Sequence, residues 1–240
     1  VFCWGYNTLG RLGTSATGNK PTPNQVVGTH PAFDTIASGG ANSCALTLAG
    51  DIYCWGDNSV GQTAQGTTPT FVPAKVEAGS TKFTALDVGA NHVCALAVDH
   101  SAYCWGGNSV GQLGRGSTSA SGGVAAVSGG GSYASISAGD RYTCAIALDQ
   151  SASCWGEADS GRLGGGDGTS DQTSPGPGPA GTWMQIVTTG STGTFGTPAQ
   201  ASGTTCGLTP DGLVRCWGAA LHGETGAGPA AEGVAATQTQ

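Results

Sequence analysis

Nine cysteines are the residues of this 240-residue chain best placed to do chemistry. Eight form pairs with a single spacing of ten residues: Cys44 with Cys54, Cys94 with Cys104, Cys144 with Cys154, and Cys206 with Cys216. The second member of each pair opens a Cys-Trp-Gly triplet, and a fifth triplet, Cys3–Gly5, has no upstream mate. A hairpin with a loop at Leu48–Gly50 sets Cys44 against Cys54 and Leu46 against Ile52 on one face, because side chains alternate along a strand. The same register sets Leu96 against Ala102, Ile146 against Ala152 and Leu208 against Val214. Directly opposed residues lie about 4.5–5.5 Å apart, within disulfide range. The spacing therefore predicts four intra-hairpin bridges, each contributing roughly 2–3 kcal/mol in the chain-entropy model. Free buried thiols are the alternative. Zinc fits poorly, since zinc fingers use closely spaced cysteine pairs. Cys3 is left over, either unpaired, joined to another subunit, or paired with a cysteine upstream of Val1.

Other reactive groups fare worse. His92 lies two residues before Cys94, and a Cys–His pair can make a nucleophile. Cys94 belongs to the bridged set, however, and the position of His92 is held by Asn42 and Tyr142 in neighbouring copies, so His92 reads as a turn or core residue. Glu157 and Asp159 are close in sequence, but a glycosidase needs carboxyls across a cleft with one pKa raised. Asp140 and Arg141 read as a solvated surface pair. Asp99, Asp149 and Asp211 fall in equivalent turns, where aspartate bonds its own backbone. Gly164–Gly168 lacks the Lys-Ser/Thr of a phosphate loop. No catalytic residue, metal ligand or cofactor site is assigned, and the chain reads as a non-enzyme.

The elements that carry these residues recur with a period near fifty. Cys-Trp-Gly sites are separated by 51, 50, 50 and 62 residues. An aromatic residue keeps step at Phe33, Phe83, Tyr133 and Trp183, an aliphatic one at Ile36, Leu86, Ile136 and Ile186, and glycine at Gly39, Gly89 and Gly139. Such a period marks a solenoid, propeller or array. The longer last interval places an insertion near Gly190–Gly203. The units read as 1–28 (a half), 29–77, 78–128, 129–178 and 179–240. With 44 glycines and no apolar stripe of helical period, the units read as short strands between turns. The repeat tryptophans are expected to wedge between neighbouring units.

Composition sets further bounds. The net charge is −7 and only eight residues are Lys or Arg, which leaves no basic stripe for nucleic acid. No apolar run approaches the ~20 residues that span a bilayer, and no basic segment followed by an apolar stretch reads as a signal peptide within these residues. The chain lacks an initiator Met and reads as processed or partial. Repeated disulfides imply an oxidising compartment, so the expected location is extracellular or the cell surface. Partner contacts are expected on variable face segments: Ala41–Ser43, Ala90–Val93, Asp140–Thr143, Gly164–Gly181 and Gly190–Gly203. Gly190, Phe195, Gly203, Asp167 and Asp171 are the first candidates.

Cys104-Trp105-Gly106-Gly107-Asn108-Ser109-Val110-Gly111-Gln112-Leu113-Gly114-Arg115-Gly116, with Gly89–Leu96 before it, resembles the core of a regulator-of-chromosome-condensation repeat. The resemblance covers nearly the whole chain. It implies an all-β fold, a β-propeller of four-stranded antiparallel blades, usually seven and often closed by strands from both chain ends. About 4.5 repeats are present, where seven would need roughly 350 residues at this period; the natural chain is expected to extend N-terminally. The asparagine of Asn7, Asn58 and Asn108 becomes Ala158 and Ala220, and Gln-Leu-Gly becomes Gln62-Thr63-Ala64 and Glu224-Thr225-Gly226. Cysteine-bearing members of the family are generally extracellular. The expected function is a non-enzymatic extracellular structural or protein-interaction module, in a multimeric surface assembly if further copies cover the open edges. The alternative is a secreted recognition or inhibitor propeller that binds a protein or glycan; a hydrolase or lyase comes third. Expected partners are a protein or glycan, or copies of the chain itself.

Overall fold

The computed structural model describes residues 1–119, 123–165, 170–189, 203–219, 225–226 and 237–239. Its strands in chain order are β1 (Phe2–Gly5), β2 (Lys20–Gln25), β3 (Phe33–Ser38), β4 (Asn42–Thr47), β5 (Ile52–Gly56), β6 (Thr70–Lys75), β7 (Phe83–Val88), β8 (His92–Ala97), β9 (Ala102–Gly106), β10 (Ala125–Ala126), β11 (Tyr133–Ala138), β12 (Tyr142–Ala147), β13 (Ala152–Gly156), β14 (Gln172–Pro177), β15 (Gln185–Thr188), β16 (Thr204–Leu208), β17 (Val214–Gly218) and β18 (Thr237–Thr239). They form four antiparallel four-stranded sheets, β3–β6, β7–β10, β11–β14 and β15–β18, preceded by the pair β1–β2.

The cysteine hairpin is the middle of every sheet. In β4–β5, Cys44 pairs with Cys54 and Leu46 with Ile52; β8–β9, β12–β13 and β16–β17 repeat that register. The structure holds disulfides at Cys44–Cys54, Cys94–Cys104, Cys144–Cys154 and Cys206–Cys216, with Cα atoms 4.1–4.2 Å apart. At the first tip the Gly50 amide donates to the Thr47 carbonyl at 2.9 Å, and Gly50 has φ of 78°. The glycine of each Cys-Trp-Gly has a chain-specific reason too. Gly56 sits at φ +105°, where a Cβ would also meet the Ala41 carbonyl oxygen at 2.5 Å. The strand bulges there, and pairing to β6 shifts register between Cys54 and Gly56.

After the triplet the chain is tied by asparagine. Oδ1 of Asn7, Asn58 and Asn108 accepts the backbone N–H five residues on, at 3.0, 2.8 and 3.0 Å. That knot places the carbonyl of Arg11, Gln62 or Gln112 under the tryptophan of the next unit, and the Arg162 carbonyl takes the same place although Ala158 stands where the asparagine would be. Trp55, Trp105, Trp155 and Trp217 each donate an indole N–H to it, at 2.9–3.0 Å. The core therefore lies between sheets: Leu46 and Ile52 of one pack with Phe83, Leu86 and Trp105 of the next.

The first strands of the sheets turn toward a common hub. Ser137 Oγ lies 3.2 Å from Asp87 Oδ2 and 3.0 Å from Thr188 Oγ1, linking three successive first strands. The Ala90 amide donates to the Gly139 carbonyl at 3.1 Å. Such close approach requires glycine. A Cβ on Gly39 would stand 1.8 Å from the Gly89 oxygen. Gly39→Ala is expected to cost about 3 kcal/mol, at the upper end of overpacking, read as a lowered urea midpoint. The same change at Gly18, whose Cβ would meet nothing within 4 Å, is the control. The fold is an all-β propeller.

One expectation changes. Ala41–Ser43, Ala90–Val93 and Asp140–Thr143 do not form variable face loops. The turns end at residues 41, 91 and 141, and the strands begin at Asn42, His92 and Tyr142. Asn42, Ser43, His92, Val93, Tyr142 and Thr143 are buried; His92 and Tyr142 reach the following sheet, while Ser43 and Thr143 bond carbonyls of the preceding unit.

Candidate functional site

At the hub, Ser38–Gly40, Asp87–Ala90, Ser137–Gly139, Val187 and Thr188 line a cleft of about 430 Å³. Its one carboxylate, on Asp87, is occupied: Oδ2 accepts from the Ala138 amide at 2.8 Å and from Ser137. The cleft offers shape and backbone polarity, with no acid–base pair.

His92 is fully buried, and its Nε2 lies 2.9 Å from Thr143 Oγ1 of the next sheet. Thr143 Oγ1 donates to the Gln112 carbonyl at 3.0 Å, so the network assigns the proton of neutral His92 to Nε2. Nδ1 then keeps its lone pair without a partner. With Cys94 bridged, His92 activates no thiol; it joins two sheets. Burial pushes its pKa down to about 4. The unfolded imidazole, near pKa 6.5, takes a proton that the folded one refuses. Stability is thus full above about pH 6.5, falls as pH drops toward 4, and by linkage loses about 3 kcal/mol. Urea midpoints between pH 7 and 4 should show that decline, and His92→Gln should flatten it.

Glu157 bridges Arg141 at 2.7 Å and the fully buried Arg162 at 2.6 Å. The pairing expected of Asp140 and Arg141 is replaced, because the start of β12 turns Arg141 toward Glu157. Arg162 also stacks over the Tyr142 ring at 5.6 Å. This is a structural clamp beside the Trp217 acceptor, and Asp159 contributes its backbone carbonyl to Arg162 Nε. Among the described residues, no group of histidine, cysteine and carboxylate side chains could hold a metal.

Of the loop candidates, Gly190, Phe195 and Asp167 lie outside the described residues. Gly203 is buried, and a Cβ there would sit 3.1 Å from Arg162 Nη1. Asp171 Oδ1 accepts the Ala158 amide at 3.0 Å, as Asn19 does for Asn7 in the first unit. Cys3 is a free, half-buried thiol with its pKa raised by burial. Beside it Phe2, Trp4 and Tyr6 are each 60% exposed, and β1 pairs with β2 alone among the described strands.

The hairpin tips, read from the sequence only as turns, carry a further set of residues. Leu48, Val98 and Leu148 are exposed at the same position of three successive hairpins. Beside them Asp99 and Asp149 accept the amides of Ser101 and Ser151 at 3.1 and 2.9 Å. Hydrogen bonds from those serine hydroxyls hold both carboxyls below the usual aspartate range. The fifty-residue step is the signal of this row in the sequence, since Leu48, Val98 and Leu148 keep it as the buried positions do.

Two profiles of the regulator of chromosome condensation (RCC1) repeat match this chain, one over residues 1–46 and 49–96, the other over 33–62 and 83–112. Among curated proteins, the probable E3 ubiquitin-protein ligase HERC4 of Rattus norvegicus is 44% identical over 64 residues, 26% of this chain and 6% of HERC4. The ultraviolet-B receptor UVR8 of Arabidopsis thaliana is 34% identical over 80 residues, 32% of this chain and 18% of UVR8. Among solved structures, human WBSCR16 superposes with a TM-score of 0.81 at 18% identity, covering 100% of this chain and 62% of that one. Prp20p from Saccharomyces cerevisiae gives 0.79 at 18% identity, covering 100% and 58%. The chain thus spans a small part of these curated relatives and about three-fifths of the solved chains.

Proposed function

We propose that this chain, which belongs to the regulator of chromosome condensation (RCC1) repeat family, is a non-enzymatic scaffold that binds protein partners through the faces of its propeller. One observation carries the reading. Among the described residues, His92, Glu157, Arg162 and eight of the cysteines are each spent on joining strands or sheets. What remains for function is surface. Proteins of the same fold bind proteins: Prp20p has been described with Gsp1p and histones, and yeast RCC1 with Kap60. None of these partners is transferred to this chain. The repeated disulfides favour an oxidising location, outside the cell or on its surface. Capture from native extracellular material, followed by reconstitution with the purified partner, should give saturable binding. Turnover on a hydrolase panel that disappears in Glu157→Gln would overturn the scaffold reading.

A second reading, assembly, rests on the leading edge. Exposed Phe2, Trp4 and Tyr6 beside the free Cys3 form an apolar margin on a strand with an open edge. A further strand would cover it, from more of the same chain or from another copy. Sedimentation with and without reductant tests this reading. Self-association that reductant weakens supports it; a monomer at high concentration removes the other-copy form.

A further inference from the structure

The hairpin tips carry an inference that rests on the scaffold reading and names its face and partner. Leu48 is 86% exposed, Val98 64% and Leu148 56%, and the fourth tip presents the exposed Pro210 in the same place. Scattered exposed aliphatics need no explanation. A row repeated at one position of four neighbouring units is different, because repetition sets small apolar areas at the same place on successive sheets.

The tips are also held rigidly. Carbonyls of Gly50, His100 and Gln150 accept the amides of Phe83, Tyr133 and Trp183 in the next sheet, at 2.9–3.0 Å. Each tip is therefore fixed to its neighbour, and little order has to be imposed on binding. The charge around them is net negative. At this end of the sheets stand Asp34, Asp51, Glu77, Asp99, Asp149 and Asp211, against Lys75 and Lys82, which both pair with Asp51. Arg215 lies further along β17 and touches the field of Asp211. Asp99 and Asp149 have no ion pair among the described residues. Arg11, Arg115, Arg141 and Arg162 all lie toward the other end of the sheets, in or beside the loops that precede and follow the hairpins.

We infer that the hairpin-tip end is a docking face for a cationic amphipathic protein segment, one that alternates aliphatic side chains with lysine or arginine. The aliphatics would cover Leu48, Val98 and Leu148, and the cations would meet Asp99 and Asp149. Rim charges of this kind steer association and choose among partners.

The test uses the full chain and a synthetic peptide of alternating leucine and lysine, followed by fluorescence anisotropy. An analogue with glutamate in place of lysine should bind at least about tenfold more weakly. Val98→Ser with Leu148→Ser, and separately Asp99→Asn with Asp149→Asn, should each weaken lysine-peptide binding by about tenfold or more. Asp159→Asn, at the other end of the sheets, should leave it unchanged. Far-UV spectra and melting show that each variant is folded. Equal binding by wild type and tip variants, or no binding of the lysine peptide, overturns the inference. A natural partner that the tip variants still capture at full strength removes this face and keeps the scaffold. Failure of the wild type to capture any partner removes the scaffold itself.

Discussion

Replacing one bridge, Cys94→Ser with Cys104→Ser, is expected to lower stability by about 2–3 kcal/mol, and loss of all four bridges by about 10 kcal/mol. The ten-residue separation within each pair closes a short loop, and the chain-entropy estimate for such a loop gives that value. Four such terms match the whole stability of a typical domain, about 5–15 kcal/mol. This sequence has reason to depend on them. Each sheet is narrow, glycine is abundant, and only 38% of residues are hydrophobic. Guanidinium unfolding of the oxidised protein and of the double-serine variant measures the first figure. Unfolding in reductant measures the second. A midpoint that does not move in either experiment would show that the bridges follow the fold without supporting it.

Trp105→Ala is expected to cost about 3–5 kcal/mol, the range for removing a large buried aromatic side chain. Trp105 is completely buried between two sheets, and its indole N–H reaches the Gln62 carbonyl at 3.0 Å. Its removal opens a cavity and strands that carbonyl at once. Trp105→Phe keeps most of the volume but loses the donor, and should cost about 1–3 kcal/mol. Trp4→Ala supplies the internal contrast, because Trp4 occupies the same motif position yet is 60% exposed. In this chain it should move the midpoint by less than about 0.5 kcal/mol. Equal effects at Trp4 and Trp105 would mean that the motif acts within its own hairpin. The structure places its action at the seam with the preceding unit.

The contrast between Trp4 and Trp105 also shows what the sequence could reveal. Spacing made the hairpin legible, since Cys44–Cys54 and Leu46–Ile52 can share a face in one register only. The period made the succession of units legible, and the resemblance supplied the four-stranded blade. Contacts across the seam were not legible. Nothing in the residue type of Gln62 or Arg162 announces that its backbone carbonyl receives a tryptophan from the next unit. His92, read from the sequence as a turn or core residue, is in the core, whereas the burial of Asn42 and Tyr142 was not legible, for a related reason. These positions vary among copies, and variation suggested surface. They vary because each meets a different neighbour: His92 meets Thr143, whereas Tyr142 donates to the Thr204 carbonyl at 3.0 Å. Glu157 was read by its sequence neighbour Asp159, while its partners in space are Arg141 and Arg162. Such charge pairing is set by tertiary placement and leaves no local pattern.

The central claim is that each unit is closed covalently across its own hairpin and then stacked on the next around a hub. Peptide mapping of native, unreduced protein after alkylation tests it most directly. The account predicts four linked species, joining Cys44 to Cys54, Cys94 to Cys104, Cys144 to Cys154 and Cys206 to Cys216. Links between different hairpins, or alkylated thiols at these eight positions, would contradict it.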